Sequence, residues 1–332
     1  MRALVLERPG SLAAGQPLSL RHVPDPEPAA GDLLLRVGAC AICRTDLQLV
    51  EGDLEAHRLP TIPGHQVVGR VEALGAGVSG WSLGERAAVG WLARTCGTCP
   101  ACRGGRENLC AAAAFTAWDR DGGFAERIVA SAEMALRIPA GFDDLAAAPL
   151  LCGGVIGYRS LLVSGIRPGG RLGLYGFGAS ARLAMQVARH WGCEIHVATR
   201  SARERERALA MGAASVGGYD DPPPSPLDAA VTFAPAGGVV LAALRALDRG
   251  GTVAINAIHL DGIPAFEYGD LWWERSLRSV ANYTRDDART FLELAAAIPV
   301  RTDAVAVPLV DGVEALRRLA DGTLRGTAVI VP

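Results

Sequence analysis

The chain has 332 residues, of which 50 % are hydrophobic and 20 % are charged, and its formal net charge is −2. This composition excludes global disorder and a basic surface for nucleic acid, while the length suffices for two domains. All 33 basic residues are arginine, which excludes a Walker A lysine, a kinase β3 lysine and a lysine Schiff base.

Up to about residue 140, short apolar runs are interrupted by glycine and proline, as in DLLLRVGAC, QVVGRVEALG and ERAAVGW. This pattern predicts a β-rich domain with irregular loops. The N-terminus is too short and too charged for a secretory signal, and no apolar run reaches the ~18 residues of a membrane span. We therefore expect a cytoplasmic location, where thiols stay reduced.

From about Leu145, predicted strands alternate with predicted helices. The strands are RLGLYGFG, CEIHVATR, DAAVTFA, GGTVAINAI and RSVANYT, and the first helices are ASARLAMQVARHWG and ARERERALAMGA. This alternation predicts a parallel sheet covered by helices on both faces. After Arg285 the pattern changes to DARTFLELAAAI, DAVAVPLV, GVEALRRLADG and GTAVIVP, and we assign this tail to the first domain.

Four of the eight cysteines lie within fifteen residues, with the spacing C-x2-C-x2-C-x7-C: Cys96, Cys99, Cys102 and Cys110. Disulfides are disfavoured in a cytosolic chain with a large core, and a redox motif needs only two cysteines. Closely spaced thiolates on a loop rich in glycine and proline are typical of a structural zinc site, in which four ligands close the coordination sphere.

A second candidate metal site combines Cys43, His65 and Cys152. His65 follows a Pro-Gly turn, and Cys152 precedes a predicted helix. Two cysteines and one histidine leave one tetrahedral position for water or substrate, as in a catalytic zinc site, although the spacing alone does not establish that the three meet. Cys40 and Cys193 are interpreted as small buried residues, with Cys40 as a possible additional ligand in a CxxC with Cys43.

The motif Gly176-x-Gly178-x-x-Ala181 follows a predicted strand and opens a predicted helix, as a dinucleotide-binding loop does. The next strand ends in Thr199, Arg200 and Ser201, without the acidic residue that usually binds the ribose of NAD. Arg200 and Ser201 favour a 2′-phosphate and thus NADP. The following arginines, Arg203 and Arg205, are predicted to face solvent in pairs with the neighbouring glutamates.

Together, the CRTD stretch, the PGH turn, the four-cysteine segment, GGFAE, the Cys152 segment and the GxGxxA loop resemble the zinc-dependent medium-chain alcohol dehydrogenases along essentially the whole chain. The resemblance implies an α/β protein with two domains. A GroES-like catalytic domain would comprise residues 1–144 and 286–332, with a structural zinc lobe at about 91–111. A Rossmann domain would comprise residues 145–285.

The resemblance also implies residue roles. The catalytic zinc would be held by Cys43, His65 and Cys152, and the structural zinc by Cys96, Cys99, Cys102 and Cys110. Asp46 would orient the zinc-bound histidine, Thr45 would take the alcohol proton, Arg44 would contact the cofactor pyrophosphate, and Trp91 and Trp118 would line the substrate pocket. Ordinary packing is an equal alternative for Trp118. The chain departs from the family at Gln48 and Gln66, where His and Glu are frequent.

The function implied is the interconversion of an alcohol and an aldehyde or ketone, with two zinc ions per chain and NADP(H) rather than NAD(H). A homodimer or homotetramer is expected, with LWWERSLRSVANY as a candidate interface. Two alternatives stay open at this point. One is a non-catalytic dinucleotide sensor or partner-binding protein on the same fold, and the other is a zinc-free quinone or enoyl reductase.

Overall fold

The computed structural model describes residues 1–298 and 300–332. Two compact units are present: Met1–Cys152 with Tyr283–Pro332, and Gly153–Asn282. The first segment thus extends beyond residue 144, and the tail begins before residue 286. The reason is that the apolar residues after 144 pack against the strands of the first unit.

The first unit opens with strands and short helices in irregular alternation. Their bounds are β1 Arg2–Leu6, β2 Leu18–His22, β3 Asp32–Ala41, α1 Arg44–Glu51, β4 Val67–Leu74, β5 Arg86–Val89, β6 Leu92–Arg94, α2 Pro100–Arg103, β7 Ala114–Phe115, β8 Arg127–Ser131 and α3 Asp144–Ala147. A 3₁₀ turn at Ala148–Leu151 then leads to Cys152. This succession of short strands agrees with the predicted β-rich character of the N-terminal part.

The second unit alternates strands and helices regularly. Its elements are α4 Gly153–Ser164, β9 Arg171–Tyr175, α5 Ala179–His190, β10 Glu194–Ala198, α6 Ala202–Ala210, β11 Ser215–Gly217, β12 Leu227–Thr232, α7 Gly237–Arg245, β13 Leu247–Ile255, α8 Tyr268–Leu271 and β14 Ser276–Ser279. All pairings in its sheet are parallel, in the order β11-β10-β9-β12-β13-β14. This is the 3-2-1-4-5-6 order of a Rossmann sheet, which confirms the predicted fold class; β11 was not predicted.

The tail returns to the first unit. It contains α9 Arg285–Ala297, β15 Ala304–Pro308, α10 Gly312–Ala320 and β16 Thr327–Val331. Strand β16 pairs with β3 so that Val329 lies opposite Ala41 and Ile330 opposite Cys40. The tail therefore completes the sheet β15-β16-β3-β4-β5, to which β8 adds on β3, and supports the end of β3 that leads into Cys43.

Each unit has its own apolar core. In the first unit Leu4, Leu35 and Phe124 are fully buried, and in the second Leu244 and Val253 are. Burial of each such side chain contributes roughly 1.5–3 kcal/mol. Among the described residues, one helical stretch, Asp144–Ser164, is long and apolar enough to pass a test for membrane spans, with a mean hydropathy of 1.5. The sequence did not single out this stretch as a membrane span. In the structure 67 % of its apolar window is buried inside the protein, and this burial accounts for its apolar composition.

Candidate functional site

Two cysteines and one histidine meet in the first unit. Cys43 is the N-terminal capping residue of α1, His65 lies just before β4, and Cys152 follows the 3₁₀ turn. Their ligand atoms all lie within 4.8 Å of one another, and Cys43 Sγ is 3.4 Å from His65 Nε2. The structure thus brings together the three residues that the sequence suggests as ligands of an open site.

The Asp46 carboxylate orients His65 and caps α1 at the same time. Oδ1 accepts from His65 Nδ1 at 3.1 Å and from the Gly64 N–H at 3.2 Å, while Oδ2 accepts from the Cys43 N–H at 2.9 Å. The Asp46 and His65 side chains are each 1 % exposed. Because the carboxylate holds a proton on Nδ1, the lone pair on Nε2 is free to bind a metal.

The distances in this cluster fit zinc. With bonds of ~2.3 Å to sulfur and ~2.0 Å to nitrogen, sulfur and nitrogen ligands of a tetrahedral ion lie ~3.5 Å apart. The separation of 3.4 Å between Cys43 and His65 is close to this value. Among the described residues this group offers three ligands, so a tetrahedral ion held here would keep one coordination position free.

The same residues concentrate negative charge in a buried place. A hydrogen bond with Cys152, together with burial, raises the pKa of the Cys43 thiol well above its usual value. Burial opposes a charge on His65, but the neighbouring Asp46 and Cys43 outweigh it and raise the pKa of the imidazole to about 10. A divalent cation bound here would displace the protons of Cys43 and of its other ligands.

The turn before His65 depends on glycine. Gly64 has φ +97°, and a Cβ atom there would collide with Phe124 and with Cys40 Sγ. The Pro-Gly sequence therefore fixes the backbone from which the imidazole extends. The next residue, Gln66, is buried and donates from Nε2 to the Ala41 carbonyl at 3.1 Å.

Cys96, Cys99, Cys102 and Cys110 form a second cluster. Their sulfur atoms are separated by 3.9 Å (96 to 102), 3.5 Å (99 to 102) and 3.6 Å (96 to 110). These values are close to the ~3.8 Å edge of a tetrahedral zinc–thiolate site. Backbone N–H groups of Thr98 and Cys99 lower the pKa of the Cys96 thiol to about 6, whereas burial and hydrogen bonds with the neighbouring thiols raise that of Cys102 to about 11. Four thiolates leave no open position, so a metal here serves the structure.

Aromatic rings extend from His65 along one side of the first cluster. Trp91 meets His65 edge-to-face with ring centroids 4.8 Å apart, and Phe115 and Trp118 lie within 30° of parallel to Trp91 at 5.5 and 5.8 Å. Trp118 also stacks on His57 at 3.8 Å. Trp91 and Trp118 were suggested by the sequence, whereas Phe115 and His57 were missed. The F-T-A-W spacing is a weak signal for Phe115, and no local signal marks His57.

The glycine-rich loop has the shape that a pyrophosphate requires. Gly176 has φ +92°, and an added Cβ would lie 3.0 Å from the Ala234 nitrogen. At Gly178, the N-cap of α5, an added Cβ would meet no atom within 4 Å, so the backbone there faces open space. Ala181 is fully buried beneath the loop. The N–H groups at the start of α5 thus border a place that an anion can approach.

The end of β10 presents cationic and hydroxyl groups. Thr199 is buried, whereas Arg200 and Ser201 are exposed, and the Ser201 hydroxyl caps α6 by accepting from the Glu204 N–H at 3.3 Å. Arg205 donates to the Thr199 carbonyl at 2.8 Å. The prediction that Arg205 belongs to a solvated face is therefore wrong, because its side chain turns back towards the end of the strand.

Four further candidate residues, Arg44, Thr45, Cys40 and Cys193, belong to neither metal-binding cluster. Arg44 and Thr45 form the first turn of α1, directly after Cys43; Arg44 is exposed and Thr45 half-buried. Cys40 is buried, and Cys193 Sγ lies 3.5 Å from the Arg167 carbonyl. In the part of the chain that the structure describes, neither cysteine joins a metal-binding group.

Comparison with known proteins points to one family. Residues 29–140 match the alcohol dehydrogenase GroES-like domain. The whole chain is 49 % identical to the Mycobacterium tuberculosis protein named Probable alcohol dehydrogenase AdhA, of which it covers 97 %. It also resembles the cobalt- and zinc-bound thermostable alcohol dehydrogenase of Pyrobaculum aerophilum, with a TM-score of 0.89, 26 % identity and coverage of 100 % and 99 % of the two chains.

A candidate zinc-binding dehydrogenase of Sinorhizobium meliloti 1021, solved with bound NADP, gives a TM-score of 0.87, 26 % identity and the same coverage of both chains. These similarities run from end to end and include both the GroES-like domain and the Rossmann sheet. At 49 % identity over its full length, the chain belongs to the zinc-type medium-chain alcohol dehydrogenase family.

Proposed function

We propose that this protein is a zinc-dependent alcohol dehydrogenase that interconverts an alcohol and an aldehyde or ketone with NADP(H). The observation that carries the proposal is the cluster of Cys43, His65 and Cys152, which offers three ligands to one ion and leaves a fourth position open. Family membership supports the alcohol–carbonyl reaction, and the zinc-bound relative from Pyrobaculum supports the choice of metal.

When bound, zinc polarises the substrate oxygen as a Lewis acid, and the nicotinamide accepts or supplies the hydride. Asp46 holds the Nδ1 proton of His65, so that Nε2 stays a ligand. The Thr45 hydroxyl, two residues after Cys43, takes the proton of the substrate hydroxyl during oxidation and returns it during reduction. Gln48 cannot titrate near neutral pH, so it cannot accept this proton from Thr45.

The four-cysteine cluster holds a second, structural zinc in this proposal. Cys96 is exposed, and Cys99 and Cys102 are only half-buried, so this lobe has little apolar core of its own. A metal bound by four thiolates supplies the folding energy that such a loop lacks.

The cofactor pyrophosphate binds at the start of α5, where Gly178 leaves the backbone accessible. The family resemblance supports Arg44 as a further contact to the pyrophosphate. NADP(H) is preferred over NAD(H) because the end of β10 offers the guanidinium of Arg200 and the hydroxyl of Ser201 in place of a carboxylate. Arg205 reaches the same strand end and adds a second guanidinium there. The NADP-bound relative supports this choice.

An oligomer is part of the same proposal. Tyr268, Trp272 and Trp273 are 68, 48 and 47 % exposed, and they precede β14, which lies at one edge of the sheet of the second unit. Exposed aromatic side chains beside a sheet edge support a homodimer or homotetramer.

Metal analysis, cofactor titration and turnover assays of the wild type and two cysteine variants test the proposal. We expect two zinc ions in the wild type, one in Cys43→Ser, and two in the control Cys193→Ser, since Cys193 belongs to neither metal-binding group. Turnover of a panel of alcohols with NADP should be lost only in Cys43→Ser. Wild-type turnover by Cys43→Ser would refute the mechanism.

The alternatives give different results in the same experiment. Full zinc and tight NADP binding without turnover would favour a dinucleotide sensor. Reduction of quinones or enones by a zinc-free protein would favour the reductase.

A further inference from the structure

We propose that His57 and Asp119 form a brace that fixes Trp118 beside the metal-binding cluster, and that this Trp118 brace selects alcohols with an aromatic ring. The inference rests on the proposed function and adds a substrate class and two positioning residues to it. All of the residues concerned belong to the first unit.

The indole of Trp118 is held from two directions. Its Nε1 donates to the Glu55 carbonyl at 2.6 Å, and its ring stacks on His57 with centroids 3.8 Å apart and planes 19° apart. His57 is held in turn, because its Nδ1 lies 2.7 Å from Asp119 Oδ1. The other oxygen of Asp119 accepts from the Phe115 N–H at 2.7 Å. The Asp119 carboxylate thus joins the imidazole of His57 to β7, the strand that carries the Phe115 ring.

The backbone before Trp118 supports the same arrangement. Ala117 has φ +71° although it carries a side chain, and it is 1 % exposed. Its carbonyl accepts from the Thr61 hydroxyl at 3.3 Å. A non-glycine residue keeps such a conformation only where its surroundings impose it, and such positions cluster at functional sites. The strained turn and the Asp119–His57 contact both fix the position of the same indole.

The wall formed by Trp91, Phe115 and Trp118 is only half-buried, so part of its aromatic surface is free to contact a ligand. Trp91 touches the imidazole of His65, which places the start of this wall at a metal ligand. In this proposal the carbon atoms next to a substrate oxygen lie against this wall. Aromatic rings attract one another beyond the effect of buried area, whereas a saturated ring gains only from burial. The wall therefore favours an aromatic skeleton over a saturated one of equal size.

Benzyl alcohol and cyclohexylmethanol provide the test, because they share a six-membered ring and a CH₂OH group and differ in aromaticity. The zinc-loaded wild type is compared with His57→Ala, His57→Phe and the control His22→Ala, an exposed histidine on β2. KM and kcat are measured with NADP, and binding of each alcohol is measured by calorimetry without cofactor. Near-ultraviolet circular dichroism reports the fixation of the tryptophans.

We expect the wild type to prefer benzyl alcohol. His57→Ala should raise KM and Kd for benzyl alcohol about threefold to tenfold, the effect of losing an aromatic pair, with values for cyclohexylmethanol changed less than about twofold. The near-ultraviolet signal should weaken. His57→Phe should restore the preference, because it keeps the stacked ring, and His22→Ala should match the wild type.

Equal changes for both alcohols would show a general loosening and overturn the proposal, as would unchanged constants in His57→Ala. If His57→Ala does not fold, His57→Leu replaces it, with the same expected and contrary outcomes. If the wild type oxidises both alcohols without preference, the proposal of the Trp118 brace is overturned, whereas the proposed function stands. A wild type that oxidises no alcohol at all overturns the proposed function, and the brace with it.

Discussion

Replacement of Asp46 by Asn tests whether the carboxylate that caps α1 also prepares His65 for a metal. The carboxylate is almost fully buried and accepts from His65 Nδ1, the Gly64 N–H and the Cys43 N–H at 3.1, 3.2 and 2.9 Å. Both carboxylate oxygens accept hydrogen bonds, but an amide replaces one of them with an NH₂ group. In Asp46→Asn this NH₂ group must therefore face an N–H donor that has lost its acceptor. A buried donor without an acceptor costs about 1–3 kcal/mol.

The orientation of the new amide decides what is lost. If Nδ2 faces the Cys43 N–H, the helix cap is lost and His65 still donates from Nδ1. If Nδ2 faces His65, it donates to Nδ1, the ring proton moves to Nε2, and that nitrogen can no longer bind a metal. A neutral amide is also a weaker acceptor than a carboxylate. We therefore expect zinc to bind about 10–100-fold more weakly to this cluster, and the free energy of unfolding to fall by about 1–3 kcal/mol.

Asp287→Asn is the matched control. Asp287 occupies the same position in the capping box of α9, where it accepts from the Thr284 N–H at 2.8 Å and is 7 % exposed. It belongs to neither metal-binding group of the described residues. Competition with a chromophoric chelator measures zinc affinity, and urea unfolding measures stability. Both variants should lose stability, but only Asp46→Asn should lose zinc affinity; equal affinities in the two variants would refute the reasoning.

Three further predictions concern other parts of the chain. Ala117 has a left-handed backbone (φ +71°), which costs an alanine ~1–2 kcal/mol. Ala117→Gly removes this strain but adds ~0.5–1 kcal/mol of backbone entropy cost on folding, so urea unfolding should show a gain in stability between zero and about 1.5 kcal/mol. Arg200→Ala should raise KM for NADP about tenfold and leave KM for NAD unchanged in steady-state assays, because only NADP carries the phosphate. Burial opposes the ionisation of Glu107, but the backbone N–H of Arg285 at 2.7 Å and its guanidinium outweigh it and lower the pKa. This contribution is fully present above pH ~4.3 and is lost as the pH falls through the lowered pKa. Glu107→Gln should therefore cost about 1–2 kcal/mol at pH 7 in urea unfolding, and progressively less as the pH falls below ~4.3; a difference independent of pH would contradict this.

The parts of the site that the sequence predicted are those that depend on local chain geometry. The loop from Gly176 to Ala181 needs a tight turn, an accessible backbone and a small buried residue within six positions, and each requirement selects a residue type. The four-cysteine cluster likewise lies within fifteen residues. The local sequence marks Cys43 and Cys152 as residues at helix starts and His65 as a residue after a glycine turn. Only the resemblance to a family indicated that these three residues meet.

The parts that were missed depend on contacts between distant segments. His57 lies 62 positions before its partner Asp119, and nothing in its surroundings in the sequence marks it as part of an aromatic wall. Arg205 was misjudged for a related reason. A helix with alternating arginine and glutamate is typical of a solvated face, but the contact with the Thr199 carbonyl depends on how α6 follows β10 in three dimensions.

Gln66 shows how such a contact changes the meaning of a departure from the family pattern. From the sequence, the replacement of Glu by Gln removes only an anionic group next to a metal ligand. In the structure the buried side-chain amide of Gln66 donates from Nε2 to the Ala41 carbonyl, and the main-chain carbonyl of Gln66 accepts from the Ala41 N–H at 3.0 Å. A carboxylate at this place would direct oxygen at oxygen in a buried environment, which costs free energy unless it is protonated. Because the end of β3 and the turn before β4 are joined through this amide, position 66 in this chain supports the backbone on either side of the metal-binding cluster.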